Sequence, residues 1–144
     1  MNYRLAQPSD IPALCRLEEA QPRAAHWKES GWQTELTDRS AYVLCAEAGE
    51  EITGFVALRL AGGVCEILNV AVAPQHCRQG IGQQLLLRAL AWVREHGGEE
   101  ITLEVAATNS PAVRLYQKVG FVQVGVRKKF YSGNEDALIL KLKL

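Results

Sequence analysis

Hydrophobic positions recur along this chain at two different periods, which separate predicted helices from predicted strands. The stretch GIGQQLLLRALAWVREHGG has apolar residues at the three-to-four-residue spacing of one helix face, and Gly97 is expected to end that helix. The stretch EITLEVAA instead alternates apolar and polar residues, which is typical of a strand with one buried face. These two neighbouring elements show that the chain mixes helices and strands.

The N-terminal half follows the same criteria. YRLA is predicted to be a strand, and SDIPALCRLEEA a helix with Ser9 or Asp10 as its N-cap. HWKESGWQTEL is predicted to form a second short helix, interrupted by Gly31. AYVLCAEA, ITGFVALRL and VCEILNVAVAP then follow as strands separated by tight glycine turns. Three strands with such turns predict an antiparallel meander.

The C-terminal half adds one helix and two strands after EITLEVAA. SPAVRLYQKVG is predicted to be a helix with Ser110 as N-cap and Pro111 in its first turn. FVQVGVRKKFY and DALILKLKL are predicted strands joined by the turn SGNE. The order β-α-α-β-β-β-α-β-α-β-β, with no linker or repeat, predicts a single α/β domain of the mixed α+β kind over residues 1–144.

Composition and charge narrow the choice of partners. Sixteen Lys and Arg residues balance sixteen Asp and Glu residues, without the basic stripe of a nucleic-acid-binding domain. No apolar run approaches the ~20 residues that span a membrane, and the N-terminus lacks the apolar core of a secretory leader. We therefore expect a cytoplasmic protein that binds neither nucleic acid nor membrane directly. The chain has four cysteines, Cys15, Cys45, Cys65 and Cys77, and no two of them lie at a metal-ligand spacing. We therefore expect no metal site, and at least three of the four to be reduced thiols in or near the core.

The stretch CRQGIGQQLL is a candidate anion site, because a strand ends there and a helix begins. Backbone N–H groups at a helix N-terminus favour an anion, and glycines such as Gly80 and Gly82 permit its close approach. A P-loop would need Lys-Ser/Thr where Gln83 and Gln84 stand. A dinucleotide fingerprint would need a third glycine at Leu85 and a βαβ unit, whereas hairpins precede. An anion cradle and a plain turn into a helix both remain open.

Several stretches together resemble the GNAT N-acetyltransferases. Their pyrophosphate loop, Gln/Arg-x-x-Gly-x-Gly/Ala, is similar to residues 77–82, with Cys77 in place of the first Gln or Arg. NVAV, LEVAATNSPAVRLYQKVGF, EDALIL and AHWKESGWQTEL are similar to segments of the RimI group, the ribosomal-protein-alanine N-acetyltransferases. The resemblance implies the GNAT fold, a central mixed and mostly antiparallel sheet flanked by about four helices, across one acetyltransferase domain.

The resemblance also implies roles for individual residues. Glu104 matches the general base of the family and Tyr116 its general acid, and a backbone N–H near Val70 would polarise the thioester carbonyl. The residues that would bind acetyl-CoA are Val70, Ala71, Val72, Arg78, Gln79, Gly80, Ile81, Gly82, Gln83 and Asn109.

Acetyl transfer to an amine needs such a pair, because an ammonium must lose a proton and the CoA thiolate must gain one. Deprotonation near pH 7 costs about 1 kcal/mol for an α-amine but roughly 4.6 kcal/mol for a lysine. One carboxylate acting through water therefore suffices for an N-terminus. The residues alone leave other interpretations open, namely a solvated Glu104 and a Tyr116 that only packs in the core. A covalent role for Cys77 is disfavoured, because no His-Asp pair supports it.

The function implied by the resemblance is direct transfer of acetyl from acetyl-CoA, in a ternary complex, to a protein N-terminal amine. The expected acceptor is the N-terminal alanine of a small-subunit ribosomal protein. The alternatives are a GNAT enzyme for a small amine or a lysine, and a non-catalytic acetyl-CoA-binding regulator. Acidic residues near the groove would attract a basic peptide unless they are merely solvated, and the candidates are Glu18, Glu19, Glu35, Glu135 and Asp136.

Overall fold

A computed structural model describes residues 1–21, 25–77, 79–131 and 135–144. These residues form seven strands and four helices in the predicted order. The strands are β1 (Asn2–Leu5), β2 (Ala41–Ala48), β3 (Glu51–Ala61), β4 (Val64–Val72), β5 (Glu100–Ala106), β6 (Val122–Tyr131) and β7 (Glu135–Lys143). The helices are α1 (Ile11–Ala20), α2 (Lys28–Thr37), α3 (Ile81–Glu95) and α4 (Ser110–Val119), and short 3₁₀ turns lie at Pro8–Asp10 and Pro74–His76.

All seven strands belong to one sheet in the order β1-β2-β3-β4-β5-β7-β6. The predicted meander is confirmed, since β2, β3 and β4 pair antiparallel with their chain neighbours. The pair β4 and β5 is parallel, and α3 makes the crossover between them. A βαβ unit therefore surrounds α3, and the expectation of hairpins without a βαβ unit was wrong. Turn signals reveal hairpins, but a crossover pairs strands that are distant in sequence.

Helices cover both faces of the sheet and create two hydrophobic clusters. On one face, α3 and α4 pack on the sheet through residues such as Leu85 and Tyr116. On the other face, α1 and α2 pack through residues such as Leu14 and Trp32. A bulge in β4 at Leu68, opposite Ala57 and Leu58 of β3, shifts the alternation by one residue. As a result Ile67 faces α3, whereas Ala71 faces α1.

Two features of the helices differ from the prediction, namely the continuity of α2 and the N-cap of α4. Helix α2 runs through Gly31 without interruption. A Cβ at Gly31 would lie 2.8 Å from the Cβ of Trp27, so this glycine permits a close contact within the helix rather than a break. Asn109, not Ser110, is the N-cap of α4, while Gly120 follows the end of the helix as predicted. Gly97 follows α3 with a φ of +80°, which fits its predicted place at the helix end.

The cysteines differ in environment. Cys45 and Cys65 are buried, and burial raises the pKa of each thiol to about 12. Cys15 is half-buried and Cys77 is exposed.

Among the described residues there is no group of three or more His, Cys, Asp and Glu side chains that could hold a metal ion. None of the described helices is long and apolar enough to cross a membrane.

Candidate active site

The sheet opens between its two parallel strands. Strands β4 and β5 pair only where Val64–Glu66 lie beside Glu100–Thr102. Beyond that point β4 continues to Val72 beside β3, and β5 continues to Ala106 beside β7. The two strands therefore diverge, and a fissure opens between them toward their carboxyl ends.

Main-chain groups of β4 face this fissure. The N–H of Ala73 donates to the carbonyl of Thr53 at 2.8 Å, so Thr53 with Ala73 and Phe55 with Ala71 exchange hydrogen bonds across β3 and β4. Val70 and Val72 alternate with these pairs, and their N–H and C=O groups consequently point away from β3. Of the three β4 residues expected beside the pantetheine arm, Val70 and Val72 present backbone groups to the fissure, whereas Ala71 pairs with β3.

The glycine loop follows β4 and starts α3. Gly80 is the N-cap of α3 with a φ of +79°, a conformation that favours glycine, and this residue has no side chain with which to cap the helix. The N–H of Gln84 is the amide that returns to the Gly80 carbonyl, at 3.0 Å. The preceding amides of Ile81, Gly82 and Gln83 occupy the first turn, where a helix has no acceptors of its own. Together with the helix dipole, they form a site that favours an anion.

The other loop residues have varied surroundings. A Cβ at Gly82 would lie 3.3 Å from Cδ2 of Leu115, so this glycine brings α3 close to α4. The side chain of Ile81 is buried in the core, which leaves only its amide for a ligand. The side chain of Gln79 lies on the surface, with Oε1 at 3.4 Å from Nδ1 of His76. Arg78 lies outside the described residues.

Glu104 projects from β5 on the face opposite its buried neighbours Leu103 and Val105. Its Oε1 lies 2.8 Å from Nη2 of Arg127, which reaches over from β6 across β7. Glu104 is therefore paired with a cation rather than simply solvated. Arg127 was not predicted from the sequence, because no local pattern links two residues on strands that are separated by a third.

Tyr116 lies on the other side of the sheet. Its side chain belongs to the α3/α4 cluster and is 8% exposed, and its ring meets that of Phe121 edge-on at 5.7 Å between centroids. Asn109, at the start of the same helix, accepts a hydrogen bond on its carbonyl from Val113 at 3.0 Å, and its side chain does not cap the helix. The two expected catalytic groups thus lie on opposite faces of the sheet.

The expected acidic field beside the acceptor groove is wrong for two of its members. Glu18 and Glu35 are buried, and Glu35 is paired with Arg59 at 2.6 Å. Asp136 accepts the backbone N–H of Lys129 at 2.9 Å, which holds the pKa of this carboxyl below its usual range. These carboxylates are engaged within the fold, because internal donors compete with solvent for them.

Comparison with known proteins places this architecture in a family. The model of the Acetyltransferase (GNAT) family matches residues 7–121. The ribosomal protein bS18-alanine N-acetyltransferase of Escherichia coli (strain K12) is 28% identical over 141 residues, which cover 96% of this chain and 94% of that protein. An N-alpha-acetyltransferase of Sulfurisphaera tokodaii is 32% identical over 122 residues, which cover 76% of this chain and 73% of the relative. The crystal structure of the ribosomal-protein-S18-alanine N-acetyltransferase from Escherichia coli matches with a TM-score of 0.89 at 26% identity, over 99% of this chain and 92% of that one.

Proposed function

This chain belongs to the GNAT family of acetyltransferases, and we propose that it acetylates the N-terminal α-amine of a ribosomal protein that begins with alanine. The observation that carries this proposal is the fissure between β4 and β5, with Glu104 on one face of the sheet and Tyr116 on the other. Similarity to bS18-alanine N-acetyltransferases over most of the chain supports the choice of acceptor.

The fissure and the glycine loop fit acetyl-CoA as the acetyl donor. Backbone groups of Val70 and the N–H of Val72 would bond the amides of the pantetheine arm, as an adjoining strand would, while the carbonyl of Val72 accepts the side chain of Gln21. The first-turn amides of α3 would hold the pyrophosphate, and Gly80 leaves their approach open because, apart from its chain neighbours, no atom of the described residues lies within 4 Å of its Cβ position. Acetyl-CoA, when bound, supplies the activated acetyl thioester. We also propose that Arg78, Gln79 and Asn109 contact acetyl-CoA.

In the proposed reaction, one residue on each face of the sheet transfers a proton. Glu104 accepts a proton from the α-ammonium, directly or through a water molecule, so that the amine nitrogen can bond to the acetyl carbon. The bond between that carbon and the CoA sulfur breaks, and the hydroxyl of Tyr116 gives its proton to the departing thiolate. The nitrogen releases its second proton to solvent as the amide forms, and Tyr116 regains a proton from solvent. Because an α-amine loses its proton at a cost of about 1 kcal/mol near neutral pH, a single carboxylate is sufficient.

A peptide assay tests the acceptor. We expect a peptide that begins with alanine to be acetylated on its α-amine, with the position assigned by mass spectrometry. The matched control is the same peptide with its α-amine blocked and its lysines free, which should not react. Acetylation on a lysine, or of polyamines alone, would disprove the N-terminal assignment and leave the acetyltransferase class intact. CoA binding without turnover on any amine would instead favour the regulator.

A further inference from the structure

The buried carboxylate of Glu18 has no part in the proposed chemistry, yet it collects three hydrogen bonds. It lies near the end of α1 and is 1% exposed. Its Oε2 accepts the N–H of Trp27 at 2.8 Å and the side-chain amide of Asn69 at 2.9 Å, and its Oε1 accepts the indole N–H of Trp32 at 2.7 Å. Three donors converge on this group, so only a side chain that purely accepts hydrogen bonds satisfies all of them.

Asn69 connects this carboxylate to the fissure. It precedes Val70 on β4, and its Oδ1 accepts the N–H of Ala25 at 3.1 Å. Gln21, at the end of α1, donates from its side chain to the carbonyl of Val72. The chain on either side of the α1–α2 connection is thus tied to β4 where β4 borders the fissure. We refer to Ala25, His26 and Trp27 as the α2 approach.

The backbone has an uncommon conformation both within the α2 approach and at the first residue of α2. His26 and Lys28 have φ values of +56° and +61°, in the left-handed region that residues other than glycine rarely adopt. Such conformations persist where surrounding contacts hold them, and they concentrate at functional sites. The bond from Trp27 to Glu18 lies between these two residues, and the Trp27 ring meets Trp32 edge-on at 4.8 Å.

The α2 approach and Glu104 share one face of the sheet. Leu103 and Val105 of β5 belong to the α3/α4 cluster, so Glu104 projects from the other face, on which α1 and α2 pack. Tyr116 and the start of α3 occupy the α3/α4 face. An amine that delivers its proton to Glu104 therefore enters from the side on which the α2 approach lies.

We propose that Glu18 and Asn69 are positioning residues that fix the α2 approach as a wall of the acceptor site. This inference rests on the proposed function, because it assumes that the amine arrives on the Glu104 face. Their effect is exerted through the backbone of Ala25 and Trp27, and neither residue touches the reacting atoms.

Two variants test the assignment by separating acceptor binding from donor binding. In Glu18→Gln, the amide NH₂ must face either the Trp32 indole or the donors of Trp27 and Asn69, whichever way it is turned. Asn69→Ala removes the acceptor of the Ala25 N–H. In each variant we expect the KM for the alanine-initiated peptide to rise about tenfold, the factor that 1.4 kcal/mol represents. The KM for acetyl-CoA and the affinity for CoA should stay close to wild type.

Glu35→Gln is the matched control. Glu35 is also a buried carboxylate on this face, but it anchors α2 to Arg59 of β3 and makes no bond to the α2 approach. It should lower the melting temperature without changing the acceptor KM. If Glu18→Gln and Asn69→Ala also lower only the melting temperature, or raise both KM values equally, the positioning role is wrong. Lack of turnover by the wild-type protein on every amine would overturn the proposed function itself, whereas turnover with an unchanged acceptor KM overturns only this inference.

Discussion

The ring of Tyr116 packs in the core, and the substitution Tyr116→Phe keeps this ring while it removes the hydroxyl group. The ring contacts Phe121, and both side chains are buried. If the hydroxyl protonates the departing thiolate, Tyr116→Phe should lower kcat about 100-fold or more, with a small change in the KM for acetyl-CoA. Steady-state kinetics with both substrates measure this.

Tyr42→Phe is the control for that substitution. Tyr42 is a half-buried tyrosine, stacked on Trp92 at 4.2 Å between ring centroids, and it lies on β2, away from the fissure. Its loss of a hydroxyl should leave kcat unchanged. If the Tyr116→Phe enzyme had a near-normal kcat, Tyr116 would have a role in packing only.

Asp10 gives the fold a defined response to acid. Arg4 binds it through both oxygens, at 2.8 and 2.9 Å, and this guanidinium holds the pKa of Asp10 below its usual value. A lowered folded-state pKa stabilises the protein above the unfolded pKa of about 3.9, and that stabilisation disappears as the pH falls through the lowered value. Asp10→Asn should therefore cost about 1–2 kcal/mol of unfolding free energy at neutral pH and progressively less below about pH 4.

Urea denaturation of both proteins across a pH series checks this expectation. At low pH the wild-type carboxyl is protonated and resembles the neutral amide, so the two unfolding curves should converge. A difference in unfolding free energy that stays constant from neutral to strongly acidic pH would contradict the role of the Arg4 pair.

At the scale of elements, hydrophobic periodicity was sufficient to predict the order of helices and strands. Those signals are local, since each helix or strand carries its own spacing. Gly31 misled the prediction, because a glycine can serve a close contact inside a helix as well as a break. Periodicity did not predict the bulge at Leu68 or the parallel pairing of β4 with β5, because both depend on a neighbouring strand, and only the family resemblance implied a mixed sheet.

In the candidate site, too, local motifs were predictable from the sequence and contacts between distant residues were not. Gly80 and Gly82 form a continuous motif, and the sequence located it at the start of α3. The bond between Glu18 and Asn69 joins residues 51 positions apart, and Glu104 meets Arg127 across two strand pairings. Charge alone suggested that Glu18 was a surface acid. Its burial follows from donors on α2 and β4 that converge only in the folded chain.

The N-terminus of α3 provides a test at the scale of one element. The Cβ of Gly82→Val would lie 3.3 Å from Cδ2 of Leu115, the end of a flexible side chain, and its branched carbon atoms would lie beside the first-turn amides. We expect a folded protein whose affinity for CoA, measured by calorimetry, falls about tenfold or more, equivalent to at least 1.4 kcal/mol. Gly97→Ala, just beyond the other end of α3, is the control and should bind CoA normally. Unchanged CoA affinity in folded Gly82→Val would refute the anion cradle.

A single sheet contributes side chains to both hydrophobic clusters of the molecule. Strand β4 contributes Ile67 to the α3/α4 cluster and Ala71 to the α1/α2 cluster. Loss of the sheet would expose both clusters together, so neither face has an independent scaffold. We propose on this ground that the chain is one domain and unfolds as one cooperative unit.

The distribution of tryptophans makes that proposal measurable. Trp27 and Trp32 pack in the α1/α2 cluster, whereas Trp92 packs against the α3/α4 cluster. In a Trp92→Phe variant, fluorescence therefore reports one face, while far-ultraviolet circular dichroism reports the secondary structure of the whole chain. The two unfolding transitions should coincide. CoA at 100 times its Kd should stabilise both by about 2.7 kcal/mol, because a ligand that binds only the folded state stabilises the entire cooperative unit. If CoA shifted the circular dichroism transition and left the fluorescence transition in place, the two faces would unfold separately and the single-domain interpretation would be wrong.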